Sequence, residues 1–325
     1  MATALATLRA LPIEQLARHP SPVDRLDRLR AALGSNAPTL LVKRDDLLTF
    51  GMGGNKVRKL QAVMAEALKA GATHLITCGG VQSNHCRATA AAGAVHGLKV
   101  TLVVNGPEVD PPTGNARLDR LFGAEVVHVP HRDDRAPTMA RLAAEIEAAG
   151  GTPHVIPLGA STVIGACGFA RGVEEVLGAG VSPTVIVHAS SSGGTQAGLI
   201  AGCALFGLDT RVIGISADET TSGLTTIVTG LLAGMRELLG ASEAGIGLQR
   251  PIVVHDEFVG AGYGVPTPQS VEALELMARA EGIVLDPVYT SKAMAGLIAL
   301  IRQGHFSADD RVLFWHTGGQ PGLFA

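Results

Sequence analysis

The 325-residue chain has no excess of charge and little aromatic character. Its formal net charge is −3, and aromatics make up 3% of it, with two tyrosines and one tryptophan. So even a balance offers no bulk attraction to nucleic acid or to an anionic membrane surface. The four cysteines (Cys78, Cys86, Cys167, Cys203) form no CxxC pair and are expected to be reduced, buried small residues. The 11 histidines contain no HExxH or paired ligand spacing, which argues against a zinc site. The longest apolar run, AGLIAGCALFGL (197–208), is too short to span a bilayer. The first thirteen residues lack acids but also lack the sustained apolar stretch of a signal peptide. A soluble, cytoplasmic enzyme is the expectation.

What is present is an alternation. Apolar, β-branched runs at 39–43, 73–78, 99–104, 125–129, 154–158, 184–189, 211–216, 251–255 and 311–316 read as strands. Ala/Leu-rich helical stretches such as 55–70, 84–96, 138–149, 195–206 and 270–281 lie between most of them. Runs apolar throughout, separated by helices, imply an α/β fold with open, mostly parallel sheets covered on both faces. That many strands exceeds one comfortable sheet, so two lobes are expected.

Ligands of such folds gather where strand carboxyl ends meet helix N-termini. Four glycine- and serine-rich segments stand at such places: GMGGNK (51–56), CGGVQSNH (78–85), ASSSGGTQAG (189–198) and HTGGQPG (316–322). On a helical wheel over 55–70, Lys56 shares a face with Leu60, Val63, Met64 and Ala67, whereas Arg58 points away. Arg58 and Lys59 are expected to be solvated. An inward lysine loses its charge more readily and becomes a reactive amine. On its own, though, it reads more readily as a first-turn lysine snorkelling to water.

ASSSGGTQAG supplies context for it. The amides of Gly193, Gly194 and Thr195, with the hydroxyls of Ser192 and Thr195, would cradle one phosphate at a helix N-terminus. Neither the nucleoside-triphosphate loop nor the dinucleotide GxGxxG is present, so a single phosphate without a charged clamp is expected. A plain helix cap is the alternative. Ser83 or Asn84 caps the next helix, whose N-terminus could instead hold a carboxylate while Ser83 moves a proton. Tyr263 and Tyr289 both sit in turn-rich apolar stretches, where a core tyrosine is the commoner case.

An inward lysine beside a one-phosphate cradle points to a pyridoxal phosphate enzyme with a Schiff-base lysine. GGNKVRKL, VQSNHCR, SSSGGTQAG, GYGVP, LDPVYTSKAMAGL and HTGGQPGLF, in that order, resemble the D-cysteine desulfhydrase and 1-aminocyclopropane-1-carboxylate deaminase family. This family belongs to the tryptophan-synthase-β-like, fold type II class. The resemblance implies a large cofactor-binding domain from 1–54 and 167–325, a small domain from 55–166, and a homodimer. It implies that Lys56 carries the cofactor and acts as base at Cα, with Gly53 and Gly54 letting backbone approach the cofactor. Asn84 would hydrogen-bond the cofactor's 3′-oxygen, residues 192–195 would hold its phosphate, and Thr290 would face its pyridine nitrogen. Ser83, Asn84, His85, Tyr263 and Tyr289 would line the substrate side, with Ser83 and Tyr289 taking part in catalysis.

Ring-opening members of this family usually have glutamate where Thr290 stands, and a neutral hydroxyl cannot replace its charge. The implied activity is therefore β-elimination from a small amino acid, D-cysteine foremost, giving pyruvate, sulfide and ammonia. L-Cysteate sulfo-lyase, serine ammonia-lyase, the deaminase and a non-catalytic cofactor-binding protein are the alternatives. Ser291 and GGQPGLF depart from the family's TGKA and GGAPALF, which bears on the substrate more than on the cofactor. A leaving sulfonate would want a cationic partner, and no residue in the sequence marks itself as one.

Overall fold

The computed structural model describes residues 2–325, in which ten strands form two sheets. The strands are β1 (Val23–Arg25), β2 (Thr39–Arg44), β3 (His74–Gly80), β4 (Lys99–Asn105) and β5 (Glu125–Val129). They continue with β6 (Pro153–Val155), β7 (Val185–Ser190), β8 (Arg211–Ser216), β9 (Val253–His255) and β10 (Arg311–His316). The larger sheet has the order β1-β2-β10-β7-β8-β9 and is parallel except for the β1–β2 pair; the smaller, β5-β4-β3-β6, is wholly parallel. This is the two-sheet, mostly parallel α/β architecture that the alternating runs imply.

The helices are α1 (Ala2–Ala10), α2 (Asp27–Leu33), α3 (Lys56–Lys69), α4 (Asn84–Val95), α5 (Gly114–Leu121) and α6 (Arg135–Ala148). They are followed by α7 (Val163–Gly178), α8 (Gly194–Leu205), α9 (Thr221–Leu239), α10 (Glu243–Ile246), α11 (Pro268–Glu281) and α12 (Thr290–Arg302). None of the described helices is long and apolar enough to cross a membrane.

Two local expectations need correction. The strand expected over 154–158 covers only Pro153–Val155, because the chain then turns through a 3-10 segment at Leu158–Ala160 with Gly159 at φ 69°. Strand β1, sequence VDR, lacks any apolar run and forms only as an antiparallel edge on β2.

A larger correction concerns Arg58 and Lys59, which are 2% and 1% exposed instead of solvated. A helical wheel assumes one buried face, but α3 is covered on two. Its second cover is α7, which presents Gly165, Gly168 and Gly172 toward it. A Cβ on Gly168 would stand 2.3 Å from the Arg58 carbonyl oxygen, and one on Gly165 would touch the Lys59 Cβ at 3.4 Å. These glycines let the helices approach until Arg58 is enclosed.

The enclosed guanidinium is paired throughout. Arg58 Nε and Nη2 donate to the two Asp45 carboxylate oxygens at 2.7 Å each. Arg58 Nη1 and Nη2 donate to Glu175 at 2.8 and 2.9 Å. Lys43 Nζ donates to Glu175 Oε2 at 2.9 Å, and the only tryptophan, Trp315, donates its indole N–H to Asp45 at 2.7 Å. Two acids and two bases balance, which is the condition for burying charge.

Removing one partner of such a set leaves uncompensated buried charge, so Arg58→Met is expected to lower unfolding stability by about 3–5 kcal/mol in urea titration. Truncating Arg25, whose pair with Asp27 is exposed on both sides, is expected to change little. Burial alone would raise the Glu175 carboxyl, but hydrogen bonds from His19 and Arg58 hold it well below the usual range. Its stabilisation is therefore present above the unfolded carboxylate pKa, about pH 4–5, and is lost as pH falls through that range and below. Glu175→Gln is expected to flatten this acid-side loss.

Candidate active site

The carboxyl ends of β3, β7, β8 and β10 converge on one cleft, and Lys56 sits at its centre as the first residue of α3. The chain reaches Lys56 through two glycines in the left-handed region. A Cβ on Gly53 would meet the Leu48 and Asp46 carbonyl oxygens at 2.6 and 2.8 Å, and one on Gly54 the Thr317 oxygen at 3.0 Å. These glycines thus serve backbone-to-backbone approach between two loops, where an approach to a cofactor was expected. Asn55 closes the joint, its amide donating to Thr317 O at 3.0 Å and its side chain to Thr195 Oγ1 at 3.1 Å.

Burial pulls the Lys56 amine down to about 8; Asp286 and Asp218 oppose the shift and Arg87 adds to it. The amine opens onto two adjoining cavities that share Lys56, Ser191, Ser192 and Tyr289. The first is lined also by Asn84, Gly193, Thr195 and Gly318. The second, about 160 Å³, contains Ser83, His85, Asp218, Tyr263 and the arginines 132 and 135. A larger groove of about 680 Å³ between the N-terminal segment and α7 contains none of these residues, and its Glu174 and Glu175 are paired with Arg9 and Arg58.

The serine-glycine loop ends in Gly193 at φ 73°, directly before α8, where a Cβ would stand 2.6 Å from Ile227. Gly194 does not line the cleft, since its amide donates to Ser192 O at 2.9 Å. Gly193, Thr195 and the serines make up the cradle. Although a cradle without a charged clamp was expected, a lysine stands behind this one. Lys59 Nζ donates to Ser161 Oγ at 2.9 Å, and that hydroxyl meets Ser192 Oγ at 2.7 Å. Burial and then the nearby Lys56 push the Lys59 amine well below its ordinary value. A phosphate at the cradle would supply the negative charge that this lysine otherwise lacks. Three residues of helix therefore place one amine in the cleft and a second behind its anion end.

Ser83 caps α4, its Oγ accepting from Cys86 N at 3.2 Å. Capping uses a lone pair and leaves the hydroxyl proton free, so the capping and functional readings coexist. Asn84 is held by its oxygen. Its Oδ1 accepts from Asn115 Nδ2 at 3.0 Å and Arg87 Nη1 at 3.2 Å, leaving its amide N–H groups as donors. Arg87, fully buried, also donates to Gly53 O at 2.7 Å, so one side chain fixes both Asn84 and the loop carrying Lys56.

His85 can be assigned a tautomer. Thr77 Oγ1 gives its one proton to Ile156 O at 2.7 Å, so His85 Nε2 is the donor in the 2.7 Å contact with Thr77. His85 Nδ1 is then an unprotonated, buried acceptor without a partner. Burial, with Lys56 and Lys59 nearby, keeps the ring well below its usual pKa and neutral.

The Tyr263 and Tyr289 hydroxyls bond to each other at the cavity mouth, with the rings edge-on and 5.8 Å apart. Tyr263 is 45% exposed, yet its hydroxyl is turned inward, and burial pushes that phenol up to about 12. Burial, then Tyr263, raises Tyr289 well above its usual value. Both are neutral; one hydroxyl donates to the other, and the accepting hydroxyl keeps its own proton free.

Thr290 does not line the cleft. It is fully buried, its hydroxyl donating to Asp286 Oδ1 at 2.6 Å and accepting from Asp286 N at 2.7 Å. The same carboxylate accepts the Val288, Tyr289 and Thr290 amides. The site therefore has a carboxylate one hydrogen bond behind the threonine. A capping acid four residues ahead of a helix start was a readable signal for Asp286. Nothing local marked Asp218, Arg87, Arg132 or Arg135, which long-range packing brings here.

A family model described as "Pyridoxal-phosphate dependent enzyme" matches residues 15–318, and the chain belongs to that family. The crystal structure of an ACC deaminase homologue superposes with a TM-score of 0.92 at 34% identity, covering 100% of this chain and 97% of that one. A processed threonine deaminase isoform 2 from Solanum lycopersicum shares the fold at 16% identity, with a TM-score of 0.69 and coverage of 98% and 84%. So does an O-ureido-L-serine synthase variant bound to O-ureido-L-serine, at 16% identity, TM-score 0.66 and coverage of 98% and 91%. The cofactor is pyridoxal phosphate, and the orphaned amine beside a phosphate-sized, cation-backed cradle fits it.

Since Lys56 reacts as the neutral amine, capture of pyridoxal phosphate by the apoprotein is expected to accelerate as pH rises to about 8 and then level off. Stopped-flow absorbance checks this; a profile still climbing toward pH 10 would mean an ordinary lysine. Borohydride treatment is expected to fix the cofactor on the Lys56 peptide in mass spectrometry.

Proposed function

We propose that this member of the pyridoxal-phosphate dependent enzymes catalyses β-elimination from a small amino acid with a leaving group on Cβ, yielding a keto acid and ammonia. The observation that carries the reading is Lys56, an amine near neutrality at the junction of a phosphate cradle and a small polar cavity. Pyridoxal phosphate supplies, when bound, a covalent attachment for the amino group and an electron sink for the bond broken at Cα.

The chain's own residues do the rest. Lys56, placed three residues from Lys59 and opposed by Asp218 and Asp286, takes the Cα proton as a base with a pKa of about 8. Lys59, through Ser161 and Ser192, and the α8 N-terminus hold the phosphate. The α4 N-terminus and the free Ser83 proton hold the substrate carboxylate. Asn84, oriented by Arg87 and Asn115, offers its N–H to the ring oxygen. His85, with only a lone pair to offer, accepts and does not bind the carboxylate through its ring. The paired phenols of Tyr263 and Tyr289 hold a proton at the departing group.

D-Cysteine has the right skeleton and is the substrate that the sequence resemblance brings forward. Opening of 1-aminocyclopropane-1-carboxylate is a second reading, favoured by one observation: Asp286 stands behind Thr290 and offers the charge that threonine lacks.

Purified holoenzyme is expected to release keto acid from at least one of D-cysteine, L-cysteine, cysteate, D-serine and 1-aminocyclopropane-1-carboxylate. Lys56→Ala is expected to lower turnover by roughly 10²–10⁴-fold or more. Cofactor binding without keto-acid release from any of these would instead support the non-catalytic reading.

A further inference from the structure

The second cavity has a cationic wall that the elimination chemistry described above leaves unused. Arg132, in the segment between β5 and α6, and Arg135, the first residue of α6, line the same space as Lys56, Ser83 and Tyr289. Their charges are unequally committed. Arg132 Nη2 reaches Glu219 Oε1 at 3.0 Å, which joins this segment to the loop after β8 across the mouth. Arg135 spends its Nε on the Arg132 carbonyl at 2.8 Å, and among the described residues it forms no salt bridge. It shares the cavity lining with Ser83 and with Gly79 and Gly80 at the end of β3. A half-buried guanidinium with donors to spare is suited to forked recognition of an oxyanion. The substrate α-carboxylate already has the α4 N-terminus and Ser83, so this is provision for a second anion.

We propose that Arg135, with Arg132 at the mouth, recognises a negatively charged group on the substrate Cβ, making the preferred substrate a β-substituted alanine of the sulfonate class. The inference rests on the β-elimination reading. In the overall step, cysteate and water give pyruvate, sulfite and ammonium. The C–S bond breaks, its electron pair leaves on sulfur, and water replaces nitrogen as the three-carbon enamine hydrolyses. Sulfite departs as an anion, so Arg135 follows it through the reaction.

Asp218 is the one acid facing the same space. Its Oδ1 is buried without a partner, and burial holds its carboxyl above the usual range. Burial thus makes its charged form, the form that would repel a sulfonate, less favourable.

The test compares substrates sharing the α-carboxylate but differing at Cβ: both enantiomers of cysteate against cysteine and β-chloroalanine, on holoenzyme. Wild type is expected to favour cysteate. Arg135→Met is expected to raise KM for cysteate by about tenfold to a hundredfold while β-chloroalanine stays within about twofold. Arg135→Lys recovers part of the loss, and Arg132→Met has a smaller effect because Glu219 already shares its charge. Unaltered cofactor absorbance in the variants confirms that they fold. Equal losses on every substrate would mean that Arg135 holds the α-carboxylate or the fold, and unchanged cysteate kinetics would remove its role; either overturns the inference. Turnover of β-chloroalanine or cysteine without cysteate overturns it too, while leaving the elimination reading intact. Turnover of none of them overturns the inference, and the elimination reading falls with it when D-serine and 1-aminocyclopropane-1-carboxylate also release no keto acid.

Discussion

The buried charge set around Arg58 is the constraint on which the cleft depends. Its members come from different places: Lys43 on β2, Asp45 just after it, Arg58 on α3, Glu175 on α7 and Trp315 on β10. Only when all four segments are docked is every charge compensated, and an uncompensated charge at this depth is far costlier than a lost surface pair. The set fixes the rotation and height of α3, and with them the position of Lys56, two residues before Arg58. Glycines on α7 make the docking sterically possible. A residue with no contact to the cleft thus decides where the reactive amine stands.

Against this rigid surround, the cleft itself keeps several polar atoms without partners. His85 Nδ1 and Asp218 Oδ1 are buried and unsatisfied, and the Lys56 and Lys59 amines are both held below their ordinary pKa. Such groups are destabilising in a core, where nearly all buried polar atoms are bonded. Concentrated in one place, and opposite a phosphate cradle, they describe a site whose polarity is complemented by what binds there. Arg87 and Asp286 stand between the two regimes. Each is buried, each is hydrogen-bonded to backbone, and each holds a residue of the cleft in place.

Much of this was legible locally. The apolar β-branched runs marked nine of the ten strands, and the three-residue β1 escaped because only its partner strand, not its own pattern, makes it extended. Lys56, Ser83, Asn84, the 192–195 loop and the two tyrosines all announced themselves by residue type at strand ends or helix starts. Arg58 and Lys59 were misjudged because helical periodicity identifies one buried face and cannot report a second neighbour. Thr290 was judged by its own hydroxyl, whereas its charge environment comes from Asp286, four residues earlier and folded back onto it.

The sequence by itself determined the class of fold and the cofactor and singled out one candidate amine, because strand periodicity, turn glycines and helix-start chemistry are encoded within a few residues of each other. Tertiary structure alone decided how far burial lowers the pKa of that amine, which second lysine stands behind the serine-glycine loop, and that Arg132, Arg135 and Asp218 line one cavity with it. Those properties depend on desolvation and on charges brought together from distant segments. Neither quantity exists until the sheets and α7 have closed around α3.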